Sequence, residues 1–254
     1  MNAKINRISE TNYNNFGSLM KIVDYRKAND IDVYFPEYDW TFKHARYSRF
    51  LNGQIKCPYE PRTYGVGYIG DGLYKPSQNG IQTKCYDVWN HMLQRCYSEL
   101  CREKYPTYED CYVCDEWLNY QNFAEWYENN YYEVGDEQMN LDKDILYKGN
   151  RVYSPETCIF VPHRINSLFI KSNNTRGKCP IGVNFDARYN KYNSHCNNGN
   201  GIVWLGSFDN MIDAFQVYKD FKENLIKQVA DEYRDFIPYE LYNVLYNYEV
   251  DIND

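Results

Sequence analysis

The chain has 254 residues, is 43% hydrophobic and 25% charged, and carries a formal net charge of −7. That length fits one large domain or two to three small ones, and the balance excludes wholesale disorder. No run of roughly 18 or more apolar residues occurs, which excludes a membrane-spanning helix and sets the expectation of no membrane partner.

Residues 1–15 are polar, with no apolar core or small-residue cleavage site, so they read as a loose start rather than a secretory signal. Aromatic residues make up 18% of the chain, with 28 Tyr, so the core must be built largely from rings with a polar edge. Residues 21–25 (KIVDY) and 31–35 (IDVYF) alternate polar and apolar, with 27–30 as the turn between them, and predict a small β-rich unit over 1–70. Residues 71–84 (DGLYKPSQNGIQTK) read as a linker.

From Tyr86 the period changes. Val88, Trp89, Met92, Leu93 and Cys96 recur every three or four residues and predict one apolar helix face, and Trp117, Leu118, Phe123 and Trp126 predict another. Arg95 lies beside the first face and is expected to pair with a carboxylate of the acidic segment that follows. Residues 139–144 read as a short strand, 148–150 as a turn and 158–161 as a second strand. A short helix over 163–170 follows.

Residues 171–180 are polar. Three strands follow, over 181–185, 189–195 and 202–205, the last two joined by the Asn/Gly-rich 197–201. Asp209 is the expected cap of a long helix with Ala214, Phe215, Tyr218, Phe221 and Leu225 on one face. A final aromatic, acidic helix is expected over 238–248. The whole reads as α+β and multi-domain: 1–70, 85–170, 178–232 and an acidic 233–254 tail.

Nine cysteines without a secretory signal point to a reducing, cytoplasmic compartment. Only Cys111 and Cys114 have a metal-like interval. Buried thiols acting as small apolar groups are the bland reading, and zinc on Cys111 and Cys114 with Cys96 or Cys101 is the alternative.

Charge is uneven. Residues 98–144 hold 13 acids and 3 bases, and 230–254 hold seven acids against Arg234. Residues 163–192 hold six bases against Asp186 alone. An acidic protein with such an island is able to bind a polyanion, because screening makes local potential dominate.

The block Ile181-Gly-Val183, 188–192 (RYNKY), 204–208 (WLGSF) and the Ala214-Phe215 helix resembles DNA-binding domains of the plant ethylene-response-factor (Apetala-two) type, over about 50 residues. The resemblance implies a three-stranded sheet laid in the major groove of double-stranded DNA. The matching contacts are Asn184, Arg188, Tyr189, Lys191 and Tyr192, with Arg176 and Lys178 alongside.

The block 86–97 (YDVWNHMLQRCY), 114–117 (CDEW), 141–144 (LDKD), 153–158 (YSPETC) and Asn166 looks like phage-encoded HNH-endonuclease-like proteins. It implies a ββα nuclease core in a phage or mobile-element protein acting in the host cytoplasm. The general-base His of that pattern is replaced by Lys143. What the resemblance leaves is Mg²⁺ or Mn²⁺ on Asp142, Asp144 and Asn166, with His163 as substitute base. Residues 50–56 (FLNGQIK) look like a module at the front of such proteins, and Lys43, His44, Arg46, Arg49 and Lys56 make it locally basic. The competing expectation is a non-catalytic protein that binds a host or virion protein through its acidic, aromatic surfaces.

Overall fold

The computed structural model describes residues 7–170 and 179–253. These form two compact units, one of residues up to Asn129 together with Val152–Ser154, the other of Asn130–Arg151 and Pro155 onward. The class is α+β with several small sheets. Among the described residues no helix is long and apolar enough to cross a membrane.

The first unit opens with a four-stranded antiparallel sheet in sequential order: β1 (Thr11–Tyr13), β2 (Leu19–Lys27), β3 (Asp30–Phe35) and β4 (Trp40–Ala45). The two-residue period puts Met20, Ile22, Ile31, Val33 and Phe35 on one face, where Phe50 of α1 (Tyr47–Leu51) and Ile55 complete a core. Each such side chain contributes roughly 1.5–3 kcal/mol by leaving water. Tyr47 illustrates the polar-edged packing. Its ring meets Tyr25 edge-on at 6.1 Å, and its hydroxyl donates to Glu10 and accepts from Arg7. Buried Asn14 ties the chain locally, accepting the N–H groups of Phe16 and Ser18 and donating to Ile55 O and the Glu60 carboxylate.

The expected linker is shorter than its composition suggested. It contains the hairpin β5 (Ser77–Gln78) and β6 (Ile81–Gln82), whose turn residues Asn79 and Gly80 both have positive φ, as tight hairpins of this kind require. Then α2 (Lys84–Tyr97) begins at Thr83, whose side chain accepts the Tyr86 N–H, and buries Trp89, Met92, Leu93 and Cys96. The indole of Trp89 donates to Trp117 O at 2.7 Å. There follow α3 (Glu99–Lys104), β7 (Tyr112–Val113), α4 (Asp115–Leu118) and α5 (Tyr120–Asn130).

The chain passes through β8 (Met139–Asp142) and then returns β9 (Val152–Tyr153) to the first unit, where it pairs in parallel with β7. This pairing overturns the expected partner of Arg95. The guanidinium donates to the Tyr153 hydroxyl at 3.4 Å and stands 5.9 Å from the Tyr108 ring, with no carboxylate at salt-bridge distance among the described residues.

In the second unit β8 pairs antiparallel with β10 (Ile159–Pro162), and α6 (His163–Ser167) follows directly and packs on both. The strand–strand–helix order expected from the pattern is present. Then β11 (Val183–Asp186), β12 (Lys191–Asn197) and β13 (Ile202–Phe208) form a three-stranded antiparallel sheet. The long helix α7 (Met211–Tyr233) packs across it, and α8 (Tyr239–Tyr246) packs on α7. The cap of α7 is Asn210, whose side chain accepts the Asp213 N–H at 2.8 Å, rather than Asp209.

Candidate nucleic-acid interface

Register decides which side chains the three-stranded sheet offers to solvent. Val183 pairs with Ser194, and Phe185 with Tyr192 and through it Phe208. Val183, Tyr192, Cys196, Leu205 and Phe208 face α7, against Ala214, Phe215 and Tyr218. Tyr192, expected as a DNA contact, lies half-buried on the face that packs against α7. The two-residue period assigns it to the packed face together with Val183.

The opposite face carries the row Asn184, Asn193, Ser207, and beyond it the pair His195 and Trp204. Ser207 Oγ lies 2.8 Å from Asn193 Oδ1 and donates to it. Trp204 is 62% exposed, an unusual state for the largest apolar side chain. Of these five residues, only Asn184 stood out in the sequence. A register shift between Ser194 and His195 places the His195–Trp204 pair. Leu205 takes up the shift and turns inward, leaving Trp204 outside. Strict alternation counted back from Phe208 misses this.

The cations at the rim are already paired. Arg188 and Tyr189 sit in the turn between β11 and β12, and both are exposed. Arg188 bonds Asp186 at 3.2 Å, and that guanidinium holds the Asp186 carboxyl below its usual range. Lys191 bonds Asp209 at 2.5 Å. The described part of this face is thus charge-balanced, with planar and amide groups outnumbering free cations. Arg176 and Lys178 lie outside the described residues.

The nuclease-like residues are placed along the β8–β10 ladder. Asp142 pairs with Ile159 at one end, while Met139 pairs with Pro162 at the other, where His163 begins α6. Three residues of strand separate the two ends, about 10 Å. His163 is exposed, and its Nδ1 meets Asn140 Nδ2 at 3.5 Å. Asn166 lies one helical turn further on. Asp142 Oδ1 accepts the N–H groups of Asp144 and Ile145 at 2.9 and 2.7 Å, an Asx-type turn. Burial, and then the Asp144 charge, push the Asp142 carboxyl up to about 6. Asp144 is exposed and bonds Lys143 at 3.2 Å.

The Asp142 and Asp144 carboxyls lie close enough to interact with each other. One carboxylate is spent on backbone N–H groups, the other on a lysine, and the proposed base stands at the far end of the ladder. Asn140 is the residue the structure adds beside His163. It alternates with Leu141 onto the same side as Asp142.

Six of the nine thiols are buried, and Cys101, Cys114 and Cys179 are half-buried. Cys96 and Cys111 are buried, and Cys111 Sγ donates to Thr107 O. Among the described residues, the one set of three His, Cys, Asp or Glu ligand atoms within 4.8 Å of one another is Asp30, Asp32 and His44. Cys111 and Cys114 thus gather no third ligand of this kind. The Asp30 set already holds a cation, because Arg26 bonds Asp24, Asp30 and Asp32 together. No protein-family model, curated protein or solved structure matches this chain.

Proposed function

We propose that the chain is a DNA-binding protein that meets double-stranded DNA with the outer face of β11–β13. The observation that carries this reading is the division of labour in the sheet. The inner face packs on α7, while the outer face leaves Trp204, Asn184 and Ser207 exposed, with Asn193 and His195 half-buried between them. Three strands at about 4.8 Å spacing span about 10 Å, which enters a major groove about 12 Å wide. Amide side chains there are able to make paired hydrogen bonds to adenine, and an exposed indole offers an apolar contact to a thymine methyl group. Arg188 and Lys191 at the rim reach phosphate once Asp186 and Asp209 exchange partners. Because these cations start neutralised, affinity depends less on salt than for a strongly basic domain. No hydrolytic step is assigned to Asp142, Asp144, Asn166 and His163, because His163 stands at the opposite end of the β8–β10 ladder from Asp142.

A second reading rests on a different surface. Tyr239, Tyr242 and Tyr246 of α8 stack along one side at 6.5 and 5.6 Å, beside exposed Phe236 and the acids Asp231, Asp235 and Glu240. Such an acidic, aromatic surface favours a protein partner.

One titration separates the two. Fluorescence anisotropy of a labelled duplex library is measured at low and moderate salt with the wild-type chain, Trp204→Ala and Asn193→Ala. Binding at low salt that weakens at least tenfold in both variants is expected. Absence of duplex binding at low salt, or variants that bind like wild type, removes the sheet-face reading and leaves the protein partner.

A further inference from the structure

Two segments of the first unit meet beside the core of the β1–β4 sheet. Residues 36–40 (PEYDW) follow β3, and residues 58–71 (PYEPRTYGVGYIGD) come after α1. The Trp40 indole donates to the Asp71 carboxylate at 3.4 Å and joins them. The second segment is closed on itself. Thr63 pairs with Gly67, the Gly70 N–H donates to Pro58 O at 3.0 Å, and the Tyr68 backbone bonds Leu118 and Tyr120 at 2.9 Å. A Cβ on Gly67 would overlap Leu93 and Trp89, so the loop is pressed onto α2. A loop fixed in this way loses little further entropy when it binds something.

Tyr38, Tyr59, Pro61, Val66 and Tyr68 line an open groove of about 380 Å³ between these segments. That lies in the range of roughly 300–1,000 Å³ typical of ligand sites. The three tyrosines are half-buried, and Tyr38 and Tyr59 pack on the core. The Tyr59 and Tyr68 rings stand 6.0 Å apart. Among the described residues, none of the three hydroxyls has a hydrogen-bond partner. The surroundings are acidic. Exposed Glu37 and Asp39 flank Tyr38, and exposed Asp71 is held to Trp40 two residues away. The one base in either segment, Arg62, bonds Glu60 at 3.5 Å. Glu37, Asp39 and Asp71 have no cation at salt-bridge distance among the described residues.

We infer that this groove receives an arginine side chain from a basic, extended peptide segment of a partner protein. Aromatic rings and unpaired carboxylates both favour a cation. A guanidinium answers both at once, because it is planar, stacks on rings and bonds carboxylates in pairs. The open shape suits a side chain carried in on a peptide, and the three acids repel phosphate. The site belongs to the first unit, whereas the β11–β13 face and α8 belong to the second, so it stands independently of both readings above.

The test is fluorescence anisotropy of a fluorescein-labelled peptide, Gly-Ser-Arg-Gly-Arg-Ser-Gly, titrated with the full chain, beside a twin with citrulline in place of arginine. Wild type is expected to bind the arginine peptide with a Kd on the order of 100 µM or tighter. The citrulline twin, Tyr59→Leu, and Asp39→Asn combined with Asp71→Asn should each weaken binding at least about tenfold, which corresponds to the loss of about 1.4 kcal/mol. Asp231→Asn combined with Asp235→Asn, on the other acidic surface, should bind like wild type. No binding by wild type, or equal binding by the twin or by the groove variants, overturns the proposal. Self-association of wild type that Tyr59→Leu abolishes makes a second copy the occupant and also overturns it. If the variants fail to fold, a benzophenone-bearing arginine peptide cross-linked to wild type decides. Cross-links within residues 36–40 or 58–71 support the site, and cross-links confined elsewhere overturn it.

Discussion

Replacing Gly182 by alanine tests the packing logic of the C-terminal sheet directly. Gly182 has φ +76°, and a Cβ built there would lie 2.0, 2.3 and 2.4 Å from three ring carbons of Tyr218. Tyr218 is buried beneath the sheet and has no space to retreat into. The left-handed backbone costs an L-residue about 1–2 kcal/mol, and overpacking adds about 1–3 kcal/mol. The expected loss is therefore about 2–5 kcal/mol. With a urea slope of about 1–3 kcal/mol/M, the unfolding midpoint of this unit should fall by about 1–2 M. Gly199→Ala is the control. Gly199 also has positive φ, +92°, but nothing stands within 4 Å of its added Cβ, so only the backbone penalty applies. Urea unfolding with hydrogen exchange of the β12 amides reads the result, with exchange in β2 and β3 as the internal reference. Equal losses in the two variants, or a wild-type midpoint for Gly182→Ala, would refute the steric account.

Asp142→Asn should stabilise at neutral pH. A carboxyl held at about 6 when folded and about 3.9 when unfolded destabilises the fold once ionised, so stability falls as pH rises from about 4 to 6. The shift corresponds to at most about 3 kcal/mol. The amide oxygen still accepts the Asp144 and Ile145 N–H groups, so the variant should exceed wild type by about 1–2 kcal/mol at pH 7.5 and match it near pH 4 in urea unfolding. An unchanged pH slope would contradict this. Trp89→Phe leaves Trp117 O without its donor and opens space in a fully buried site, with an expected loss of about 2–4 kcal/mol. A loss under about 0.5 kcal/mol in the same assay would mean that the indole bond carries no weight.

Local pattern made most elements legible. The alternation at residues 21–25 and 31–35 marked β2 and β3, and the three-and-four spacing from Trp89 to Cys96 marked the buried face of α2. The Gly182-Val183 and Trp204-to-Phe208 segments marked the three-stranded sheet with its helix. Pairings between distant short segments stayed hidden. Tyr112–Val113 and Val152–Tyr153 are too brief to show a period, and only their union explains why Arg95 meets Tyr153 instead of an acid. The site was half legible for the same reason. Asn184, Arg188 and Tyr189 are exposed, and Lys191 is half-buried. The register shift at Ser194 decided the fate of Trp204, and the two-residue period turned Tyr192 inward. Neither Asp186 nor Asp209 was expected to neutralise the rim cations, because each partner is set by a turn rather than by sequence spacing.

The return of β9 to the first unit has a consequence for how the chain is made and cut. A ribosome that has released residues up to Asn129 has not yet delivered the strand that completes β7, and that stretch must wait until Ser154 emerges. No single scission separates the two units intact. A truncation after α5 leaves the Tyr112–Val113 edge bare and Arg95 without its hydroxyl, so fragments intended to isolate either half need Val152–Ser154 grafted back or must keep the polypeptide whole.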